Sequence, residues 1–221
     1  MPKLFTYILV AIAVASIAGL LYVSPSSAGH PDAKRDQVIS TPVPIDRQRF
    51  WAIIEKTTSF EADTADQAAA LKRELEKLPA ADVVSFEMTF DTIMRESYSW
   101  NLWGADYVVH GGASDDSFEY FRVWLISKGQ RFFDTVSHDP DALADMIASD
   151  SSGPLEFEDF AYVAREVWAS KTGREADDMP MVANMIYPDL KPSGELFQEN
   201  ETYLSKRYPK LWKRFGHNPA A

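Results

Sequence analysis

From Asp46 to Gly173 apolar residues recur every three or four positions, and each run is bounded by residues that start or stop a helix. A helix buries one face at that period, whereas a strand would alternate. Asp46 can cap a first helix carrying Phe50, Trp51 and Ile54 on one side. Thr64-Ala65-Asp66-Gln67 matches a capping box, and Ala68, Leu71, Leu75 and Leu78 follow at helical spacing. Pro79 stops that helix and can start the next, striped by Val83, Phe86, Phe90 and Ile93. A short segment from Trp100 to His110 ends at Gly111-Gly112, Ser114 caps another helix, and Gly129 closes it. Gln130 to Val136 reads equally as strand or helix. Asp139-Pro140 is a cap with proline at the first helical position. A last strong helix is expected from about Leu155 to Thr172, with Phe157, Phe160, Ala164 and Val167 inward.

The tail from Arg174 carries Pro180, Pro188, Pro192, Pro209 and Pro219, which forbid long helices. It is also rich in apolar anchors, among them Met181, Met185, Ile186, Tyr187, Leu190, Phe197, Leu204, Leu211 and Phe215. A segment wrapped over the helical body, ending in a short helix near Pro209 to Phe215, satisfies both facts. The expected fold is therefore mainly α: a single multi-helix domain over residues 46–221, with a proline-rich C-terminal segment laid across it.

The N-terminal region differs. Lys3 is the only charge before Asp32, and residues 4–23 form an uncharged apolar run. Such a run is long for a signal peptide and long enough to span a bilayer. Residues 1–23 are read as a signal peptide or membrane anchor, with Ser26-Ser27-Ala28 offering cleavage after Ala28. Residues 24–45, with Pro25, Pro31, Pro42 and Pro44, are a linker. The expectation is an exported domain, periplasmic or extracellular, or held at the cytoplasmic membrane by residues 4–23. The chain has no cysteine, so disulfides, thiolate metal sites and a cysteine nucleophile are excluded. Its net charge of −11 argues against nucleic acid as a partner.

The stretch from Ser99 to Gly129 carries most of the functional information. Ser114 can accept a first-turn amide, while Asp115 and Asp116 complement the positive end of the helix. The following Phe118, Phe121, Val123, Trp124, Leu125 and Ile126 point in nearly every direction, which marks a buried helix. Arg122 sits inside that run and needs a partner, from Asp115 or Glu119 on its own helix or from an acid on another. A buried ion pair and an anion clamp both fit it. His110, in a last turn, suits the helix dipole, or could act as a base or metal ligand beside Asp115 and Asp116. Trp103 and Trp124 suit either core packing or a binding cleft.

The run Trp100-Asn-Leu-Trp-Gly-Ala, then Gly111-Gly112-x-Ser114-Asp115-Asp116-x-Phe118, then Phe121-Arg122-x-Trp124-Leu125-Ile126-x-x-Gly129 resembles the bacterial domain-of-unknown-function family DUF-4240. Phe50-Trp51, Asp139-Pro140-Asp141 and Tyr208-Pro209-x-Leu211 fit the same pattern, so the resemblance runs from about Asp46 to Phe215. It implies a fold and brings no activity, cofactor or catalytic residue with it.

The four histidines, His30, His110, His138 and His217, have no metal-ligand spacing, and no nucleophile elbow or phosphate loop occurs. No cofactor is expected. The basic cluster Lys206, Arg207, Lys210, Lys213 and Arg214 is a solvated helix face, or contacts anionic lipid or an acidic face of the same protein. Two functions stay open. One is a non-enzymatic interaction or accessory module of the envelope, of immunity type, with a protein partner. The other is a small enzyme or ligand receptor with an acidic pocket at the Gly-Gly-x-Ser-Asp-Asp motif. They differ in whether His110, Asp115, Asp116 and Arg122 converge on an accessible concavity.

Overall fold

Polar capping side chains at Asp46 and Ser114 start two of the helices where the sequence places them. The computed structural model describes residues 42–60, 63–148, 155–180 and 191–220. The leader, the cleavage site, most of the linker and the tail anchors Met181, Met185, Ile186, Tyr187 and Leu190 lie outside the described residues. Helix α1 (Arg47–Glu55) begins at Asp46, whose carboxylate accepts from the Gln48 and Arg49 amides. Helix α2 (Thr64–Glu76) is capped by Asp63, not by the anticipated Thr64 box. Gln67 is thereby free to turn inward. Its amide nitrogen donates to Ser127 O at 2.7 Å, tying α2 to the end of the motif helix. Helix α3 (Ala80–Glu96) starts after Pro79.

Helices α4 (Trp100–His110) and α5 (Asp115–Ser127) hold the motif. Gln130 to Val136, open between strand and helix in the sequence, is part of helix α6 (Gln130–His138). Its first amide donates to the Glu55 carboxylate, a cap supplied 75 residues away. The Asp139-Pro140 start yields only a short 3-10 turn (Pro140–Ala142) and a single turn, α7 (Leu143–Met146). Helix α8 (Glu158–Thr172) packs on α2, α3 and α5, so it is the central member of the body. Among the described residues no strand forms; an isolated bridge joins Ser99 to Ser193.

Aromatic side chains fill the core. Phe50 stacks on Phe86 at 4.8 Å between centroids, and Trp51 meets Phe133 at 5.4 Å. The expected inward residues of α8, Phe160, Ala164 and Val167, are buried, as is Phe157 just before it.

The tail wraps as expected. Ser193 lies against Ser99 through two backbone bonds of 2.9 Å, Ser193 N–H to Tyr98 O and Trp100 N–H to Ser193 O. Two short helices follow, α9 (Glu201–Arg207) and α10 (Pro209–Phe215); the first was not foreseen. Tyr208 between them is buried, and its hydroxyl donates to Asn101 O at 2.8 Å. This contact explains Gly104 in α4: a Cβ there would lie 2.4 Å from the Tyr208 hydroxyl and 3.1 Å from the Phe197 ring. Gly111 is needed for a second reason. It ends α4 at φ +69°, where side chains are strained, with Pro219 packed against it.

The basic cluster is partly spent on the protein itself. Lys210 pairs with Asp145. Arg214 donates to the carbonyls of Ala144, Ile147 and Ala148, which end α7. The Asp141 carboxylate accepts the Lys210 and Leu211 amides and so caps α10 from a distant segment. Arg207 donates to Asn101 Oδ1 at 2.6 Å. At Lys210 the cluster thus contacts an acidic residue of the same protein. A concavity of about 330 Å³ remains between α7 and α10, lined by Ala144, Asp145, Lys210, Lys213 and Arg214.

Among the described residues no helix is long and apolar enough to cross a membrane.

Candidate functional site

Helices α4 and α5 meet across the Gly111–Ser114 turn, and every motif side chain is placed by that meeting. Ser114 caps α5: its hydroxyl accepts the Ser117 amide, and the Ser117 hydroxyl accepts the Ser114 amide in return. Asp115 and Asp116 occupy the first turn, exposed, and neither makes the cap bond. Their contribution to α5 is charge beside the positive helix end.

Arg122 is buried, and its expected carboxylate partner is replaced by something else. Its Nε donates to Phe118 O at 3.3 Å and one terminal nitrogen to Met94 O at 2.5 Å, in the last turn of α3. The guanidinium lies between two rings, 4.9 Å from the centroid of Tyr98 and 4.8 Å from that of Phe118. Planar cations sit well between aromatic faces, and a helix C-terminus favours positive charge. A lone ion pair is therefore unnecessary. Burial lowers the Arg122 pKa to about 10, opposed by the charges of Glu119 and Asp106, so the group stays charged.

Trp103 extends the same stack. It lies over Phe118 at 4.9 Å and 15°, and its Nε1 donates to Ala113 O at 3.3 Å in the turn. Trp124 stacks with Phe121 at 6.1 Å, meets Phe132 edge-on, and carries Lys128 above its face. Both tryptophans are buried, which is the packing role of the two anticipated.

His110 is placed by a residue the sequence reading missed. Asp106, one turn earlier on α4, is wholly buried, and His110 Nδ1 lies 2.6 Å from its Oδ1. The other ring nitrogen, Nε2, accepts the Leu155 amide at 3.0 Å. An amide can only donate, so Nε2 is bare and Nδ1 carries the proton that Asp106 receives. Asp106 Oδ2 is buried and finds no hydrogen-bond partner among the described residues. Burial raises the Asp106 pKa; the His110 bond and the Arg122 charge oppose this, while Glu156 adds to it. The i, i+4 spacing of Asp106 and His110 was the available signal.

His110 and Arg122 thus turn into the α4–α5 packing, and Asp115 and Asp116 face solvent. Among the described residues no three His, Asp or Glu side chains gather as metal ligands would. A second buried charged group lies elsewhere. Glu87 on α3 accepts Arg165 Nε from α8 at 2.7 Å, and Asp91 stands one turn further along α3. Burial and the neighbouring Asp91 push Glu87 up to about 7, against the pull of Arg165.

These features define an all-α domain built around a capped, buried helix that follows a Gly-Gly turn. The chain belongs to the family described as protein of unknown function (DUF4240), whose model matches residues 45–170. The matched stretch holds the whole α4–α5 motif, and the Tyr208-Pro209-x-Leu211 block lies beyond it. No match is found among curated proteins or solved structures.

Proposed function

We propose that the chain is an envelope-located, non-enzymatic module that binds another protein, in an accessory or immunity-type role. The observation that carries this reading is the use made of His110 and Arg122. Both ring nitrogens of the one and the guanidinium of the other are occupied by the fold itself. The groups best suited to chemistry therefore act as fasteners, and what remains available to a partner is the acidic surface. Asp115, Asp116 and Glu119 on α5 and Glu158 and Asp159 on α8 are exposed, and the chain as a whole is acidic. Such a face suits a basic protein, because complementary charge speeds encounter and fixes orientation. The uncharged apolar run of residues 4–23 supports an envelope location.

The test is a pull-down of the full chain against envelope extract, in parallel with Asp115→Lys/Asp116→Lys and with reciprocal capture by each retained protein. The expected result is one protein bound by the wild type, confirmed reciprocally, weakened by salt and lost with the double variant. A small molecule that raises the melting temperature of the wild type but not of that variant would favour the receptor alternative and overturn the reading.

A further inference from the structure

The ring of His110 has two partners with opposite demands. Asp106 Oδ1, at 2.6 Å, wants a donor from Nδ1 and binds a charged imidazolium more tightly than a neutral ring. The Leu155 amide, at 3.0 Å, wants a bare Nε2. Only the neutral ring serves both. We propose that His110 is a proton-operated latch: neutral, it holds Leu155, and with it the run that leads into α8, against α4; protonated, it lets that run go.

The geometry fixes which contact fails. A second proton goes to Nε2, setting an N–H against the Leu155 N–H at hydrogen-bond distance. Two donors cannot share that space, so one group must withdraw. The ring cannot, because the added charge tightens its bond to Asp106, which is wholly buried on the same helix. Leu155 is the partner that moves. Phe121 of α5 faces the ring edge-on at 6.2 Å and offers the freed amide no acceptor.

Three charged groups surround this contact. They are Asp106 on α4, Glu156 next to Leu155, and Arg122 on α5. Among the described residues the run makes one further backbone bond to another element: the Phe157 amide donates to Tyr120 O at 3.2 Å. Leu155 and Phe157 are both core residues, 6% and 3% exposed. Release therefore uncovers apolar surface beside α5, giving the domain two states selected by pH. This device is independent of the partner-binding role proposed above.

The experiment follows the full chain by NMR, reading the His110 ring nitrogens and the Leu155 amide across a pH series. Exchange of the amide is corrected for its intrinsic pH dependence. In the neutral form Nε2 is expected unprotonated. As His110 takes its second proton, Leu155 protection should fall about tenfold, the scale of one lost hydrogen bond. His110→Gln can donate to Asp106 and accept from Leu155 without titrating, so its protection should not change over the same range. Finding Nε2 protonated in the neutral form overturns the latch. So does unchanged Leu155 protection while His110 titrates, or an equal fall in His110→Gln, which would assign the effect to Asp106 or Glu156. Should His110→Gln not fold, the wild type still decides: the ring and the amide must share one midpoint.

Discussion

Glu87 should make this protein more stable in mild acid than in mild base. The side chain is 5% exposed at the α3–α8 contact, and one arginine, Arg165, faces both it and Asp91. Its carboxyl is shifted from 4.5 up to about 7, chiefly by burial and then by Asp91. The folded chain therefore holds a proton that the unfolded chain has already lost between those values. Stability is greatest below the unfolded value and falls as pH rises through the folded one. The offset corresponds to roughly 3 kcal/mol between the two limits, of which about 2 kcal/mol falls between about pH 5.5 and about pH 8. Burial also raises Asp91, which adds in the same direction. Urea unfolding of the wild type at the two pH values measures the slope, and Glu87→Gln isolates its source. An amide of the same shape cannot ionise, so the variant should lose the Glu87 share of the slope and gain on the wild type at the alkaline end. A wild type that grows more stable toward base, or a variant that keeps the full slope, would refute the assignment.

Three further outcomes follow from the packing of the motif. Ser114→Ala should cost about 1 kcal/mol by removing the cap bond, and Asp115→Ala only a few tenths, because Asp115 acts through charge alone; equal losses in thermal melts would contradict that division. Arg122→Leu should cost about 1–3 kcal/mol, through the lost bond to Met94 O and the lost cation between the Tyr98 and Phe118 rings, and less than breaking a buried ion pair would, because Met94 O keeps the Ser97 hydroxyl; a chemical denaturation loss well above that range would point to an acidic partner. Gly104→Ala should destabilise by about 1–3 kcal/mol through overpacking against Tyr208, and exchange of the Tyr208 backbone amide should quicken as the tail loosens; a variant of wild-type stability would mean that the tail rests on α4 less closely than described.

The body of the fold was legible because its signals are local. The starts at Asp46, Pro79 and Ser114 and the stops at Gly111 and Gly173 all lie next to the helices they bound. What escaped was set by contacts between distant residues. Helix α6 is capped by Glu55, so its start carried no local signal and Gln130–Val136 stayed open between strand and helix. The Thr64 box gave way to Asp63 because Gln67 does better by bonding Ser127 O inside the core. At the site, Arg122 is held by two rings and a helix end, neither of which shows in the spacing of charged residues. Asp106 escaped because an acid amid apolar residues on a short helix has no signature until its histidine is seen four residues on.

The wrapping tail has a practical bearing on where this domain stops. The family model matches as far as residue 170, but the groove over Gly104 is closed by Phe197 and Tyr208, and the Val109 carbonyl is met by the Ala220 amide. A fragment trimmed to the shared region would leave the outer side of α4 bare, with Trp100 and Tyr107 stripped of the Phe197 ring beside them. Such a fragment would tend to self-associate through that newly opened hydrophobic strip. The shortest piece worth expressing therefore runs some fifty residues past the edge of its recognised ancestry.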